Sequence, residues 1–261
     1  MTLAARGLAV AGRLDPVSLA LEPGTVTAIC GPNGAGKSTL LEALAGLLAP
    51  TMGETLLDGA PLAAMPPRER ARAIGYLPQA REIAWDVPVK SVVELGRLPH
   101  GDAAAGPVAA ALAATDTAHL AARRAQSLSG GEAARVLLAR VLAGTPRWIL
   151  ADEPLAALDL AHQLAMLRHV RAAAAAGGAG VVLVLHDLAH AMNHADRVVV
   201  LGAGRVAADA LPEAALAPGI VEKVWGVEGH WIGAAGARAL VTGTGVEAQW
   251  NATPLPPAGS H

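Results

Sequence analysis

The 261-residue sequence predicts an α/β fold: a parallel sheet with helices between its strands, interrupted by a helical insert. Three observations lead there. A short apolar, β-branched run, Val26–Cys30, feeds directly into the glycine-rich stretch Gly31-Pro32-Asn33-Gly34-Ala35-Gly36-Lys37-Ser38-Thr39, and a helix follows at once. After Gly144, apolar runs alternate with a helical pattern, the order that builds a parallel sheet. Between Gln79 and about Gly144 the pattern is helical throughout and rich in Ala, Leu and Val, with breaks at 101–107 and 127–131.

Taken in order, the first extended runs, Leu8–Val10, Val17–Leu21 and Val26–Cys30, are separated by Gly and Pro turns. A helix from Lys37 to about Leu48 is expected to stop before Pro50, and Gly53–Asp58 reads as the next strand. Pro66-Pro67 opens a short helix whose Arg68, Glu69, Arg70 and Arg72 make a solvated face. Ile74–Leu77 is a strand that ends at Pro78-Gln79. In the second half Trp148–Ala151, Val181–Leu185, Val198–Leu201 and Arg205–Ala208 read as strands, and Ala161–Gly177 as a helix between the first two. The expected layout is a main domain over 1–230 with its insert at about 80–144, a short extension over 231–252, and a disordered Pro- and Gly-rich tail over 253–261.

The totals exclude several classes. Net charge is −2 and no long basic run is present, so electrostatics give no support for nucleic acid as a partner. Mean hydropathy is +0.40, but much of it comes from Ala scattered between charges. The longest uncharged apolar stretch, Ala172–Leu185, contains three glycines. It also falls short of the roughly 20 residues a spanning helix needs. The N-terminus lacks the basic-then-apolar layout of a secretion signal, so a cytosolic protein is expected. The one cysteine, Cys30, lies within an apolar strand and reads as a small buried hydrophobe.

Chemistry concentrates in three places. Gly31, Gly34 and Gly36 let the backbone wrap phosphate oxygens with its N–H groups inward, and the helix opening at Lys37 adds its positive end. Lys37 would reach the β/γ-phosphates and the Ser38 hydroxyl would bind Mg²⁺. The second place is Trp148–Pro154, an apolar strand ending in two carboxylates. Asp152 falls at the sheet's carboxyl edge, where it can hold Mg²⁺ directly or through water, and Glu153 can polarise an attacking water. The third is Leu128-Ser129-Gly130-Gly131-Glu132, which opens a helix and forms a second anion-binding surface. One γ-phosphate does not need two such surfaces. The surplus implies two copies meeting head to tail, each lending its Ser-Gly-Gly turn to the other's nucleotide. His186, His190 and His194 recur at metal-ligand spacing, but no carboxylate completes an evident site and His186 is accounted for by its place after a strand.

Gly31–Thr39, Gln79 after a strand, Leu128–Glu132, Ile149–Glu153, Leu158-Asp159 and His186, in this order, resemble the full motif set of ABC-transporter ATPase subunits over roughly residues 3–230. The resemblance implies a P-loop NTPase (RecA-like) core with an N-terminal antiparallel β subdomain and an inserted helical subdomain. It implies that Gly31, Pro32, Asn33, Gly34, Ala35, Gly36, Lys37, Ser38 and Thr39 bind ATP, and that Ser38, Gln79 and Asp152 serve Mg²⁺. Ser129, Gly130, Gly131, Glu132 and Asp159 would meet the ATP of the opposite copy. Glu153 would be the general base, His186 the γ-phosphate sensor, and Gln79 the link to the transport partner. The implied assembly is a homodimer in the ATP-bound state, peripheral on the inner face of the cell membrane. It would sit on two transmembrane permease subunits, with an extracytoplasmic solute-binding protein acting indirectly.

Two departures from the family pattern stand out. Glu132 occupies a place where many relatives carry Gln, and Leu8–Leu14 lacks the aromatic residue on which the family stacks adenine. Arg13 or Leu14 would then lie against the base, with loose base selectivity as the consequence. Val92–His100 resembles the ATPases of importers for ferric siderophores, haem and cobalamin, although Arg97 and His100 read equally well as caps of the insert's helices. The N-terminal region resembles the cobalamin end of that group and Leu128–Arg140 the iron and haem end. The ATPase of another transporter, or a soluble ATPase of the cluster-assembly type, remains as an alternative.

Overall fold

A computed structural model describes residues 2–243 apart from 80–82, 103 and 157. The tail at 253–261 lies outside the described residues, as does the end of the extension from 244 onward. An antiparallel sheet comes first, from β1 (Leu3–Val10), β2 (Leu14–Leu21), β4 (Met52–Leu57) and β5 (Ala60–Pro61), in the order β2-β1-β4-β5. β1 starts five residues before the expected Leu8, because its outer pairs Leu3 with Leu21 and Leu3 with Leu57 are made across the sheet.

The larger sheet has six strands in the order β10-β9-β3-β8-β7-β6. These are β3 (Val26–Cys30), β6 (Ile74–Leu77), β7 (Trp148–Asp152), β8 (Gly180–Val184), β9 (Arg197–Gly202) and the antiparallel edge strand β10 (Arg205–Ala210). The other five run parallel. β3, β7 and β8 are buried along their whole lengths, as expected of strands covered on both faces. Ile29, Leu150, Val182 and Val199 face a core shared with the antiparallel sheet and α1 (Lys37–Leu44). Ala28, Ile149, Leu183 and Val198 face the other core, shared with α6 (Leu160–Gly177).

α1 ends at Leu44, short of the expected Leu48. Gly46 turns left-handed at φ 68°, and Leu47 N–H donates to Glu42 O, so the helix closes before Pro50 has any influence.

Between the two halves lie α2 (Pro67–Ala73), α3 (Val89–Glu94), a 3₁₀ segment Leu95–His100, α4 (Ala105–Ala114) and α5 (Gly130–Ala143). The insert has a core of its own, with Val89, Val92, Val108 and Leu112 at its centre. α5 serves two cores: Val136, Ala139 and Ala143 pack into the insert, while Ala134, Leu137 and Leu138 pack onto the sheet. The C-terminal part adds α7 (Leu188–His194), α8 (Pro212–Ala215), α9 (Pro218–Trp225) and a hairpin of β11 (Gly229–Ile232) and β12 (Ala239–Thr242). Trp231 Nε1–H donates to Leu216 O, and the Asn193 side chain both donates to Arg238 O and accepts from Arg238 N–H, so the hairpin is fastened to α7. Among the described residues no helix is long and apolar enough to cross a membrane.

Trp148 is the largest fully buried side chain, and its ring fills the space over Gly180, where a β-carbon would stand 2.2 Å from Cζ3. Replacing Trp148 with Ala is expected to cost about 3–5 kcal/mol, read as a lower urea midpoint, with Trp148→Phe intermediate.

Candidate functional site

β3 lies between β8 and β9, and the loop after β3 opens at the carboxyl edge of the parallel strands, a common place for ligands in α/β folds. Gly31, Gln79 and His186 follow the carboxyl ends of parallel strands and Asp152 is the last residue of β7, so all four lie at this one edge. Two glycines are required by close approach. A β-carbon on Gly31 would stand 2.3 Å from Leu201 O, and one on Gly36, at φ 94°, would stand 2.8 Å from Arg13 O. Lys37 is buried at the head of α1, and its Nζ donates to Gly31 O at 2.8 Å and Pro32 O at 3.0 Å. Desolvation lowers its pKa, opposed by the nearby carboxylate of Glu153.

Asp152 is 4% exposed, and burial raises its pKa, opposed by a hydrogen bond from the Ser38 side chain. Its Oδ1 has no hydrogen-bond partner among the described residues. A buried carboxylate oxygen left open beside a hydroxyl is an oxygen donor set that suits a hard divalent cation. Glu153 takes the left-handed region at φ 47°, uncommon for a residue with a side chain. Its Oε2 accepts from Gln79 Nε2 at 2.7 Å and its Oε1 pairs with His186 Nε2, so the three residues form one cluster.

A cleft of about 280 Å³ runs between Gly12-Arg13 and the loop residues Asn33, Gly34 and Lys37, with Glu153 at its end. Among the described residues no aromatic side chain lines it. Ser129, Gly130, Gly131, Glu132 and Asp159 do not line it either. Ser129 caps α5 through a reciprocal pair: Glu132 N–H donates to Ser129 Oγ, and Ser129 N–H donates to Glu132 Oε2 at 2.7 Å. Arg123 fixes the same turn through Glu132 Oε1, Ser127 Oγ and Ser127 O.

His190 Nε2 pairs with Gln163 Oε1 at 3.0 Å, and its ring lies 5.9 Å from that of His194. The three spaced histidines therefore separate: His186 to Glu153, His190 to Gln163, and His194 beside His190. Arg97 is buried and donates to Ala143 O and Asp102, while His100 Nε2 pairs with Gly144 O. Both side chains thus hold the last carbonyls of α5. Sequence reasoning missed Arg123, His162 and Gln163, and weighed His190 only as a metal ligand. Only the Asp159 N-cap followed three residues later by His162 was a visible local signal.

Comparison with known proteins adds a family. Residues 14–156 match the model of the ABC transporter family. A protein of Nocardia farcinica, the hemin import ATP-binding protein HmuV, is 48% identical over 86% of this chain and 83% of its own length. The Myxococcus xanthus protein of the same name is 45% identical over 93% of this chain and 98% of its own. Among solved structures, a chain described as a metal-chelate type ABC transporter in an inward-facing conformation superposes with a TM-score of 0.78 at 25% identity, covering 92% of this chain and 97% of that one.

The folded state holds Asp152 more protonated than the unfolded chain does, so stability falls as the pH rises through the raised value. Asp152→Asn removes that charge and is expected to raise the melting temperature of the nucleotide-free protein at neutral pH by about 2–4 °C, measured by scanning calorimetry. Cys30 is fully buried, with its thiol pushed up to about 12, chiefly by desolvation. The native protein is expected to leave a thiol reagent such as DTNB unreacted at pH 8 and to consume it only on unfolding.

Proposed function

Since this chain belongs to the ABC transporter family as one of its ATP-binding ATPase subunits, we propose that it energises an importer for haem or a related iron chelate. The observation that carries the substrate class is the likeness, along nearly the whole of both chains, to proteins named for hemin import. The Arg97–His100 segment does not carry it, because both side chains cap α5.

The chain's own residues supply the work. Phosphates entering the loop would replace Gly31 O and Pro32 O as the partners of Lys37. The cluster Gln79–Glu153–His186 would open around the terminal phosphate, Glu153 taking a proton from water while His186 and Gln79 hold the phosphate and water in line. Mg²⁺ would be held by Ser38, Asp152 and Gln79 and would supply charge neutralisation at the phosphates. Ser129, Gly130, Gly131, Glu132 and Asp159 lie away from the chain's own cleft, which supports a role toward a second copy. The working assembly is then a dimer on two permease subunits at the inner membrane face, fed by a solute-binding protein outside.

Glu153→Gln is expected to lower hydrolysis about 10²–10⁴-fold while equilibrium binding of ATP persists. Lys37→Ala should lose the binding itself. For the substrate, the tagged chain is purified from source membranes in mild detergent. A polytopic permease should accompany it, and hydrolysis by the reconstituted complex should rise with haem-loaded binding protein. Recovery of soluble partners alone would instead favour an ATPase of the cluster-assembly type.

A further inference from the structure

One contact ties together two segments that the proposed reading assigns to the opposite copy's nucleotide. The side chain of Asp159 caps α6: its Oδ1 accepts from His162 N–H at 2.9 Å and from His162 Nδ1–H at 2.6 Å. That second bond fixes the imidazole, whose ring then lies against the backbone of Gly131, in the first turn of α5. A β-carbon on Gly131 would stand 2.5 Å from His162 Cδ2 and 2.7 Å from Cγ and Nε2. Only glycine fits at 131 while the ring is in place. The next residue faces the other way. Gln163 donates to Leu155 O and pairs with His190, on the side of α6 that borders Glu153 and His186.

We infer that His162 is a positioning residue that holds Asp159 and the Ser129–Glu132 turn in one fixed relation, so that the two segments engage the opposite copy's nucleotide together. The inference rests on the two-copy reading given above. His162 touches no nucleotide in this scheme; it acts through Gly131 and Asp159. Its substitution should therefore spare nucleotide binding by the isolated subunit, which uses residues 31–39, and impair the step in which two subunits close.

The test has two independent arms. In the first, ATP-driven dimerisation is followed by analytical ultracentrifugation in a Glu153→Gln background, and ATP affinity of the monomer is measured in parallel. His162→Ala is expected to weaken dimerisation about tenfold and leave monomer affinity within about twofold. His162→Asn, whose amide N–H replaces the Nδ1–H toward Asp159, should restore the larger part. In wild-type background His162→Ala should lower kcat and leave KM nearly unchanged.

The second arm needs no dimer. Gly131→Ala should lower the melting temperature when His162 is present and lose that penalty when His162 is Ala. An equal penalty in both backgrounds would overturn the packing link. Monomer affinity falling as far as dimerisation would reduce His162 to a merely structural residue. If the Glu153→Gln protein itself stays monomeric with ATP, the two-copy reading fails, whatever the melting data say about Gly131 and His162.

Discussion

Everything at the site depends on the parallel pairing of β3 with β8 on one side and β9 on the other. The pairs Ile29 with Val184 and Asp152 with Val184 place the ends of three strands in one row, and Cys30 pairs with Val200 on the far side. Loops leaving that row have nowhere to go but the common edge. Leu201 O then presses on Gly31, so the loop after β3 is shaped by a neighbouring strand as much as by its own glycines. A register slip of one residue would turn buried and edge-facing side chains over together.

Charged groups gather at that edge. Lys37 spends its donors on loop carbonyls, Asp152 keeps a buried oxygen without a partner among the described residues, and Glu153 is clasped by Gln79 and His186. Burial raises the pKa of Asp152, a cost that the folded chain carries at this edge. The same geometry explains why the fold alone would not identify the activity: the sheet positions the groups, and the groups decide the reaction.

Much of this was legible in the residues. Val26–Cys30 and Trp148–Asp152 are short apolar runs that stop at glycine or at carboxylates, so local composition marks both the strands and the chemistry at their ends. The helix opening at Ser129 was likewise visible from its Ser-Gly-Gly run. What stayed hidden depends on distance along the chain. Glu153 meets partners 74 and 33 residues away, and the C-terminal hairpin is secured by Trp231 to Leu216 and Asn193 to Arg238, contacts that no local pattern announces. Arg97 and His100 read equally well as a motif or as helix caps, and the bonds to Ala143 O and Gly144 O bear out the caps, at the end of α5. The end of α1 was misplaced because Gly46 outranked Pro50, a choice between two stop signals that sequence alone does not settle.

α5 gives one face to the insert's core and the other to the sheet, with its first turn locked by Ser129 and Glu132 and its last carbonyls by Arg97 and His100. The insert is therefore not a cassette. Grafting it between homologues, or trimming it to a minimal nucleotide-binding core, would strip a wall from the remaining half, so chimeras must cut outside α5 and carry its two faces as a matched pair.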